Sequence, residues 1–562
     1  MKYANWDIRG FNRNAAVMFV RGGINPLVSV FLASRGFSNI YDARIMLGEE
    51  KSEFHDPFLM TDMEKAVDCI YSAIENNDKI TIFGDYDVDG MTSSALLARW
   101  LRSKNAEFDI YIPARIDEGY GLSCSALNMF KTRGTKLVIT VDCGVTAIKE
   151  AEYARELGMN LVITDHHECK SELPDADAVV DPKRPDCPYP NKTLAGVGVV
   201  FKLICALEKH IGMDELINKY CDLVAIGTVA DVVSVTGENR ELIRRGLALL
   251  NEGPILGIAK LLNEPNGKQN KIAGSTISFS IAPKLNAAGR MGKAMLSIEL
   301  LLTEDEDEAE RLATELSELN LGRRSIENEI FEEAIQMMSG SDPTGPIVLA
   351  KRGWHRGVIG IVASKMTEHY FLPAVMISVD EDGIGHGSCR SYGLFSMYDA
   401  LADCEELLIT YGGHDMATGI SLAEENIGKL RETLNEIYSD KLNYMPSSGL
   451  RIDFEVEKPE LLTVDNLEAL AKLEPFGSGN PAPYMYIRDA FLHTVFSIGS
   501  GKHSRLRLEK YGQTLDCICF RTPPDKLGVY EGMHVDIAFE PQINDFRGRN
   551  VQLHVLDIRD SK

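Results

Sequence analysis

Three carboxylates, Asp85, Asp87 and Asp89, stand at alternate positions directly after the apolar run Ile80-Thr81-Ile82-Phe83 and directly before Gly90. Anions held this close repel one another, and a divalent cation is the usual relief. If the apolar run is a buried strand, the carboxylates fall at the carboxyl edge of a sheet, where open α/β sheets bind their ligands. Two competing readings are an Asp/Gly turn and a calcium loop of the Asp-x-Asp-x-Asp-Gly type. The calcium loop needs a Glu at its twelfth position; counted from Asp85, that position holds Leu96. On this segment alone, a catalytic metal site and the competing readings stand level.

Three further segments break the tie. Leu137-Val138-Ile139-Thr140-Val141 ends in Asp142-Cys143-Gly144, and Leu161-Val162-Ile163-Thr164 ends in Asp165-His166-His167-Glu168. Leu223–Ala230 leads to Asp231. Four apolar segments, read as strands, would each deliver a carboxylate or imidazole at the C-terminal end. Between the first three lie helical patterns at Met91–Arg102 and Ala147–Leu157. That alternation predicts βαβ units and a parallel sheet. A mixed Asp and His ligand set suits manganese, with magnesium and zinc behind it.

These motifs, in this order, resemble the DHH phosphoesterase superfamily and, within it, the RecJ-like family of single-strand exonucleases. The resemblance runs from about residue 25 to the C-terminus. It includes Ile112-Pro113-Ala114-Arg115 with Gly119-Tyr120-Gly121-Leu122, Ala225–Asp231 and Leu285–Met291. Trp354–Gly360, Gly387-Ser388-Cys389-Arg390-Ser391 and Gly412-Gly413-His414 are similar to the associated DHHA1 domain, and Leu473–Pro481 to the approach to an OB domain. Ser234, Cys389 and Thr418 depart from the usual pattern without touching an expected ligand. The resemblance implies an α/β fold: a parallel-sheet DHH catalytic domain and a smaller α/β DHHA1 domain joined by a long helix, then a C-terminal OB-fold β-barrel.

Composition agrees but does not discriminate. A chain of 562 residues suits three or four domains, and 44% apolar with 25% charged residues is ordinary for a globular protein. No apolar run approaches the roughly 18 residues that span a bilayer. Trp6-Asp7-Ile8-Arg9 and Asn12-Arg13-Asn14 interrupt any signal-peptide core. Eleven cysteines without a CxxC pair read as reduced thiols of a cytoplasmic protein. Cys517-Ile518-Cys519 alternates like a strand and reads as packed thiols. The net charge of −24 runs against nucleic-acid binding, but binding depends on the local field in a cleft. Much of the acid is concentrated in Glu304–Glu308, at the start of a helical pattern that also carries Arg323 and Arg324. An electropositive groove on an acidic body is therefore expected.

The expected organisation is a helical segment at residues 1–45, the DHH catalytic domain at 46–300, a linker helix at 301–340, the DHHA1 substrate-binding domain at 341–445, and a linker with the OB domain at 446–562. Five short strands from Tyr484 onward fit a five-stranded barrel.

Two metal ions, manganese first and magnesium as the alternative, would clamp the attacking and leaving oxygens of an in-line displacement at phosphorus. Asp142 is the expected bridging carboxylate, because its strand lies between the other ligand strands. Asp85, Asp87, Asp89, His166, His167 and Asp231 would complete the ligand set, with Asp165 either orienting a histidine or capping a turn. The catalytic set is Asp142, His166, Arg290 and His414. The small residues Ala287-Ala288-Gly289 would let the backbone before Arg290 approach a phosphate, beside Asn286. By resemblance Arg115, Ser388 and Arg390 bind a 5′-phosphate, from a Gly-opened loop at 387–391, and His414 lies near the scissile group. Tyr120 would stack on a base, whereas Trp354 reads equally as core. Arg505 and Arg507 share one face of a strand and would hold the substrate backbone, with Phe546, Arg547 and Arg549 at a nearby turn. The function implied is a single-strand-specific exonuclease working from the 5′ end in DNA repair, recombination or replication. Its substrate would be single-stranded DNA, with RNA as an alternative, and its partners replication or recombination proteins, without a membrane. Two rivals remain: a DHH-type phosphatase or oligoribonuclease acting on short substrates, which would not need the barrel, and a non-catalytic replication scaffold, which would not need so many clustered acids.

Overall fold

The computed structural model describes residue 3 and residues 5–114, 121–262, 271–414, 416–442, 449–545 and 548–561. Two compact units emerge: Phe54–Pro446, and a second formed by Met1–Glu53 together with Ser447–Lys562.

The first unit is organised by a parallel five-stranded sheet. Its strands are β1 (Ile80–Gly84), β2 (Phe108–Tyr111), β3 (Leu137–Val141), β4 (Asn160–Thr164) and β5 (Ala178–Val180), in the order β2-β1-β3-β4-β5. Every residue of β1 and β3 is buried, which is why both read as unbroken apolar runs. The order reverses between β1 and β3. That reversal opens a crevice at the carboxyl edge, the position at which doubly wound sheets bind ligands. Helix α1 (Val88–Ser103) follows β1 and packs against α2 (Gly196–Leu207) and α3 (Met213–Ala230).

Leu223–Ala230, expected as a strand, is the last part of α3. An apolar run buried on all sides looks the same in either state. Small residues mark the difference: a Cβ on Gly227 would lie 2.3 Å from Thr92 Oγ1 and 2.9 Å from Asp89 Oδ1, so the glycine permits α3 to lie directly on α1. A fifth strand, β5, takes the edge instead.

A helical rod follows, comprising Gly274–Thr276, a π-turn at Ile277–Ile281 and α4 (Ala282–Arg290). The 32-residue helix α5 (Glu306–Met337) then crosses to a second sheet. Asp305 caps α5 by accepting from Glu308 N, and the acids of the first turn suit the helix dipole. Arg323, in this helix, is buried and bonded to Glu327 and Asn320.

The second sheet comprises β6 (Ile347–Arg352), β7 (Ala374–Val379), β8 (Ile384–Arg390), β9 (Thr410–His414) and β10 (Ala417–Ala423), in the order β9-β10-β8-β7-β6. Among the described residues of this sheet only β6 and β7 pair in parallel, and α6 (Ile359–Tyr370) packs on β7 and β8. Residues 387–390 and 412–414, read as Gly-rich loops, therefore lie in strands. Gly387 is set by packing, since a Cβ there would sit 2.6 Å from Ile420 Cγ1 on the neighbouring strand.

In the other unit, β11 (Met485–Ile498), β12 (His503–Lys510), β13 (Gln513–Cys519), β14 (His534–Asn544) and β15 (Asn550–Asp560) close into a barrel in the order β11-β12-β13-β15-β14, with β14 returning to β11. Closure removes the exposed edges. Cys517 and Cys519 point together into its core, as their alternation implied. The N-terminal segment opens with a strand, Asn5–Ile8, paired in parallel with Gly449–Ile452. Its helices Arg13–Arg21 and Pro26–Ser34 lay Phe19, Leu27, Phe31 and Leu32 into the same core as Leu492, Leu506 and Phe539 of the barrel. Arg35 forks onto the Asp453 carboxylate beside them.

The shared core yields a test. Leu32→Ala should destabilise the barrel by about 2–5 kcal/mol, read as earlier hydrogen exchange across β11–β15. Exchange in β1 and β3 should be unchanged.

Candidate metal centre

The crevice between β1 and β3 gathers all seven expected ligands. Their donor atoms form three overlapping groups, each within 4.8 Å: Asp85, Asp87 and Asp142; Asp142, His166 and His167; and Asp89, His166 and Asp231. Asp142 belongs to two of them, and so does His166. Asp142 follows β3 with a left-handed backbone, φ 62°, which is uncommon for a residue with a Cβ. Asp87 is the N-cap of α1 and accepts from Gly90 N. Asp89, inside the first turn of α1, accepts from Gly196 N at 2.6 Å and Val197 N at 2.9 Å, at the start of α2. A Cβ on Gly196 would fall 2.5 Å from Asp142 Oδ1, so this glycine lets two carboxylates share one helix terminus. Asp231 is the C-cap of α3.

The chemistry of the donor set asks for cations. His166 Nε2 lies 3.1 Å from Asp142 Oδ1. Among the described residues, both ring nitrogens of His166, Asp142 Oδ1 and Asp231 Oδ2 are buried without a hydrogen-bond partner. Leaving such atoms unsatisfied is costly. Burial, then the carboxylates of Asp89, Asp87, Asp85 and Asp231, hold Asp142 well above the ordinary carboxylate range. Burial and the neighbouring carboxylates push Asp231 up to about 9, and burial with Asp87 pushes Asp89 up to about 7. Burial, reinforced by His167, lowers His166 to about 3, which leaves a neutral imidazole suited to a metal. Divalent cations fit this set.

Asp165 does not face the crevice in the same way. One of its oxygens accepts from His166 N, His167 N and His167 Nδ1, the last at 2.7 Å; the other accepts from Val145 N. Burial opposes charge on His167, but the Asp165 bond prevails and raises it to about 9. Asp165 thus orients a histidine, as carboxylates behind metal ligands do. Sequence reasoning missed one support, the pair of N–H groups at Gly196 and Val197, whose signal is the glycine-containing run Leu194–Gly198. It also passed over Asp181, buried just past β5, whose carboxyl is raised to about 7 by burial and by Asp165.

Helix α4 borders the crevice. Asn286 Oδ1 accepts from Val88 N, at the start of α1. The small residues before Arg290 were expected to admit a phosphate, but they admit the metal loop itself: a Cβ on Gly289 would lie 1.9 Å from Tyr86 O. Arg290 Nη1 donates to Gly357 O, across to the second sheet's domain. There Ser388 and Arg390 share one face of β8, with Cys389 turned into the core. Arg390 donates to Ser364 Oγ, Ser388 Oγ and Cys389 O. Gly360, near the start of α6, packs close to both side chains. Trp354 is a core residue bonded to Glu333. His414 ends β9, and Arg115 and Tyr120 lie outside the described residues.

On the barrel, Arg505 and Arg507 face outward while Leu506 and Leu508 are buried. Arg505 is forked onto Asp516 and pairs across strands with Phe496. Phe520 lies nearby, edge-on to His503 and His554, and both phenyl rings are about half exposed. Arg549 is bonded to Glu468, while Phe546 and Arg547 lie outside the described residues.

A buried carboxylate and imidazole cluster at the switch point of a 2-1-3-4-5 sheet, with a second α/β domain beyond it, defines the DHH class of phosphoesterases. Residues 79–228 match the DHH family N-terminal domain, 344–440 the DHHA1 domain and 452–557 the RecJ OB domain. The single-stranded-DNA-specific exonuclease RecJ of Bacillus subtilis (strain 168) is 40% identical over 542 residues, covering 95% of this chain and 68% of that protein. Its counterpart in Escherichia coli (strain K12) is 34% identical, covering 89% and 90%. The crystal structure of Thermus thermophilus RecJ in complex with Mn2+ matches with a TM-score of 0.84 at 27% identity, covering 99% of this chain and 80% of that one. This chain belongs to the RecJ family.

Asp89, Asp231 and His167 are all raised, so without cations each is biased towards keeping its proton. Between pH 6.5 and 9 the metal-free folded state retains protons that the unfolded chain has released, so its stability should fall as pH rises. His166 acts oppositely, but only below about pH 6.5. The rise in Tm on adding manganese should therefore be several degrees larger at pH 8.5 than at pH 6.5. An equal rise at both would exclude displacement of these protons.

Proposed function

We propose that this chain is a metal-dependent exonuclease that removes nucleotides from the 5′ end of single-stranded DNA. The observation that carries this reading is the sharing of Asp142 and His166 between overlapping ligand groups in one crevice. Asp85, Asp87, Asp89, Asp142, His166, His167 and Asp231 would hold two divalent cations, manganese or magnesium. When bound, such a pair supplies a hydroxide nucleophile at neutral pH and neutralises charge developing on phosphorus and the leaving oxygen. Asp142 holds the shared position, and Asp165 fixes His167 through Nδ1 so that its other nitrogen faces the crevice. Arg290 and Asn286 position the scissile phosphate beside the metal loop, and by resemblance His414 acts near the scissile group.

Hydrolysis belongs to residues 46–300 and end recognition to 341–445. Ser388 and Arg390, with Arg115, bind the terminal 5′-phosphate through charge-assisted bonds. Residues 446–562 hold the outgoing strand: Arg505 and Arg507 follow its backbone, and the aromatic rings beside Arg505 support stacking. Eleven unpaired thiols support a cytoplasmic location. Among the described residues no helix is long and apolar enough to cross a membrane. Repair, recombination or replication is the setting, with replication or recombination proteins as partners.

Strands labelled at either end, as DNA and as RNA, test polarity and sugar preference with manganese present. Release of single nucleotides from the 3′ label first would refute the assignment of the 5′ end to the second domain. Asp142→Ala should reduce kcat by roughly 10³-fold, about 4 kcal/mol of transition-state stabilisation, while single strands still bind.

Arg390→Ala should lose about 1.5–3 kcal/mol of preference for a phosphorylated over an unphosphorylated 5′ end. Competition between the two substrates measures it, and an undiminished preference would move the end pocket elsewhere. Replacing Arg505 and Arg507 together by Ala should raise KM for long strands and flatten its salt dependence, with dinucleotide turnover retained.

A further inference from the structure

Three consecutive polar residues, Glu238, Asn239 and Arg240, are buried at the start of the helix Gly237–Glu252. Burying such groups is costly unless they find partners. Glu238 pairs with Lys202 of α2 at 2.6 Å and accepts from the Tyr189 hydroxyl at 2.7 Å. Asn239, fully buried, turns elsewhere. Its Nδ2 donates to Thr193 O at 2.5 Å and to Ser234 O at 3.0 Å, while its Oδ1 accepts from Asn191 Nδ2 at 3.4 Å. One amide nitrogen thus joins the backbones of two loops distant in sequence.

Each of those loops serves the metal centre. Thr193 comes shortly before Gly196 and Val197, whose N–H groups hold the Asp89 carboxylate. Ser234 comes shortly after Asp231. Asp89 and Asp231 belong with His166 to one ligand group, and neither belongs to the group of Asp85, Asp87 and Asp142. Asn239 therefore ties together the supports of two donors of a single group.

The turn behind Asp231 also has to be held. A helix commonly ends through a left-handed residue just past its C-cap, and that residue is usually glycine. Here Asp231 is the C-cap of α3 and the left-handed residue is Val232, φ 62°. A β-branched residue in that region is a genuine outlier. The Val232 side chain is 71% exposed, so its packing does not offset the strain. Strain of this kind persists where the surroundings over-determine the backbone. Two constraints do so here: the Asn239 bond to Ser234 O, and Gly246, where a Cβ would lie 2.2 Å from Cys221 O of α3.

We propose that Asn239 is a positioning residue for the cation held by Asp89, His166 and Asp231. The proposal rests on the reading of the crevice as a two-cation centre. Asn239 acts through the Gly196 terminus that holds Asp89 and through the Val232 turn that carries Asp231. It keeps these two carboxylates at the spacing that one ion requires. Without the amide, Val232 can leave the left-handed region and draw Asp231 away. Asp85, Asp87 and Asp142 are delivered by β1 and β3, so the other cation should keep its affinity.

Calorimetric titration of the metal-free full chain with manganese reads each binding step. The wild type should show two. Asn239→Ala should weaken one of them roughly 10- to 100-fold, the usual loss when a partner behind a metal ligand is removed, and leave the other unchanged. Its kcat on a 5′-phosphorylated strand should recover in excess manganese, which a general loss of folding would not allow. Val232→Gly, which adopts the left-handed turn without strain, should restore part of the lost affinity when combined with Asn239→Ala. If Asn239→Ala does not fold, Asn191→Ala, which frees only the carbonyl side of the amide, should weaken the same step roughly twofold or more. Equal weakening of both steps, no weakening, no recovery of kcat, or a loss that glycine at 232 leaves undiminished would overturn the proposal. Failure of the wild type to show two binding steps would instead overturn the two-cation reading.

Discussion

Mutual repulsion among buried carboxylates governs this fold's active edge. Asp85, Asp89 and Asp142 are nearly inaccessible to water and share one crevice with Asp87 and Asp231. Without cations, protons or the N–H groups of a helix terminus must offset the charge. Asp89 takes two backbone N–H groups from the start of α2, while Asp142 and Asp231 are pushed towards protonation. The polypeptide is thus built around charge that it does not itself neutralise, and metal binding and stability are linked through the same groups.

Bringing the carboxylates together requires backbones closer than ordinary side chains permit. Gly196 admits Asp142 to the terminus that already holds Asp89, and Gly227 lets α3 press on α1 so that Asp231 arrives beside them. Gly289 does the same for α4 and the metal loop. These close approaches explain why the helices around the centre carry small residues where a buried helix would otherwise carry leucine. At α4 the approach is to backbone, Tyr86 O, whereas α3 meets side chains of α1 and α2, Thr92, Asp89 and Val197.

The ligand strands β1, β3 and β4 could be read from the chain because each is a short β-branched run ending in a carboxylate. The seven candidate ligand positions followed from those ends, and the crevice gathers all of them, with Asp231 arriving by a different route from the one expected. Leu223–Ala230 delivers it as the end of a helix, and periodicity cannot separate a fully buried helix from a fully buried strand. The Gly-rich stretches at 387–391 and 412–414 looked like loops because glycine usually marks turns. Here 387–390 and 412–414 are strand positions, where Gly387 yields space to Ile420. The partnership of Phe19, Leu27 and Leu32 with the barrel joins residues more than 450 positions apart, and no local pattern encodes such a pairing. The π-turn at Ile277–Ile281 was also hidden: Pro283, just beyond it, offers no N–H and crowds the carbonyl four residues earlier.

Under the proposed function, the seam between Arg290 and Gly357 is where hydrolysis and end recognition meet. A Cβ on Gly357 would fall 2.3 Å from Arg290 O, so the loop before α6 lies directly on the end of α4. The spacing from the metal loop to the Ser388 and Arg390 face is therefore set by backbone against backbone, through one helix of nine residues. Under the proposed assignment that spacing determines how far from a bound 5′ end the chain is cut. A flexible connection would cut at varying distances. The direct contact favours release of one product size, and α5, which spans the same two domains as a single helix, resists any widening of the seam.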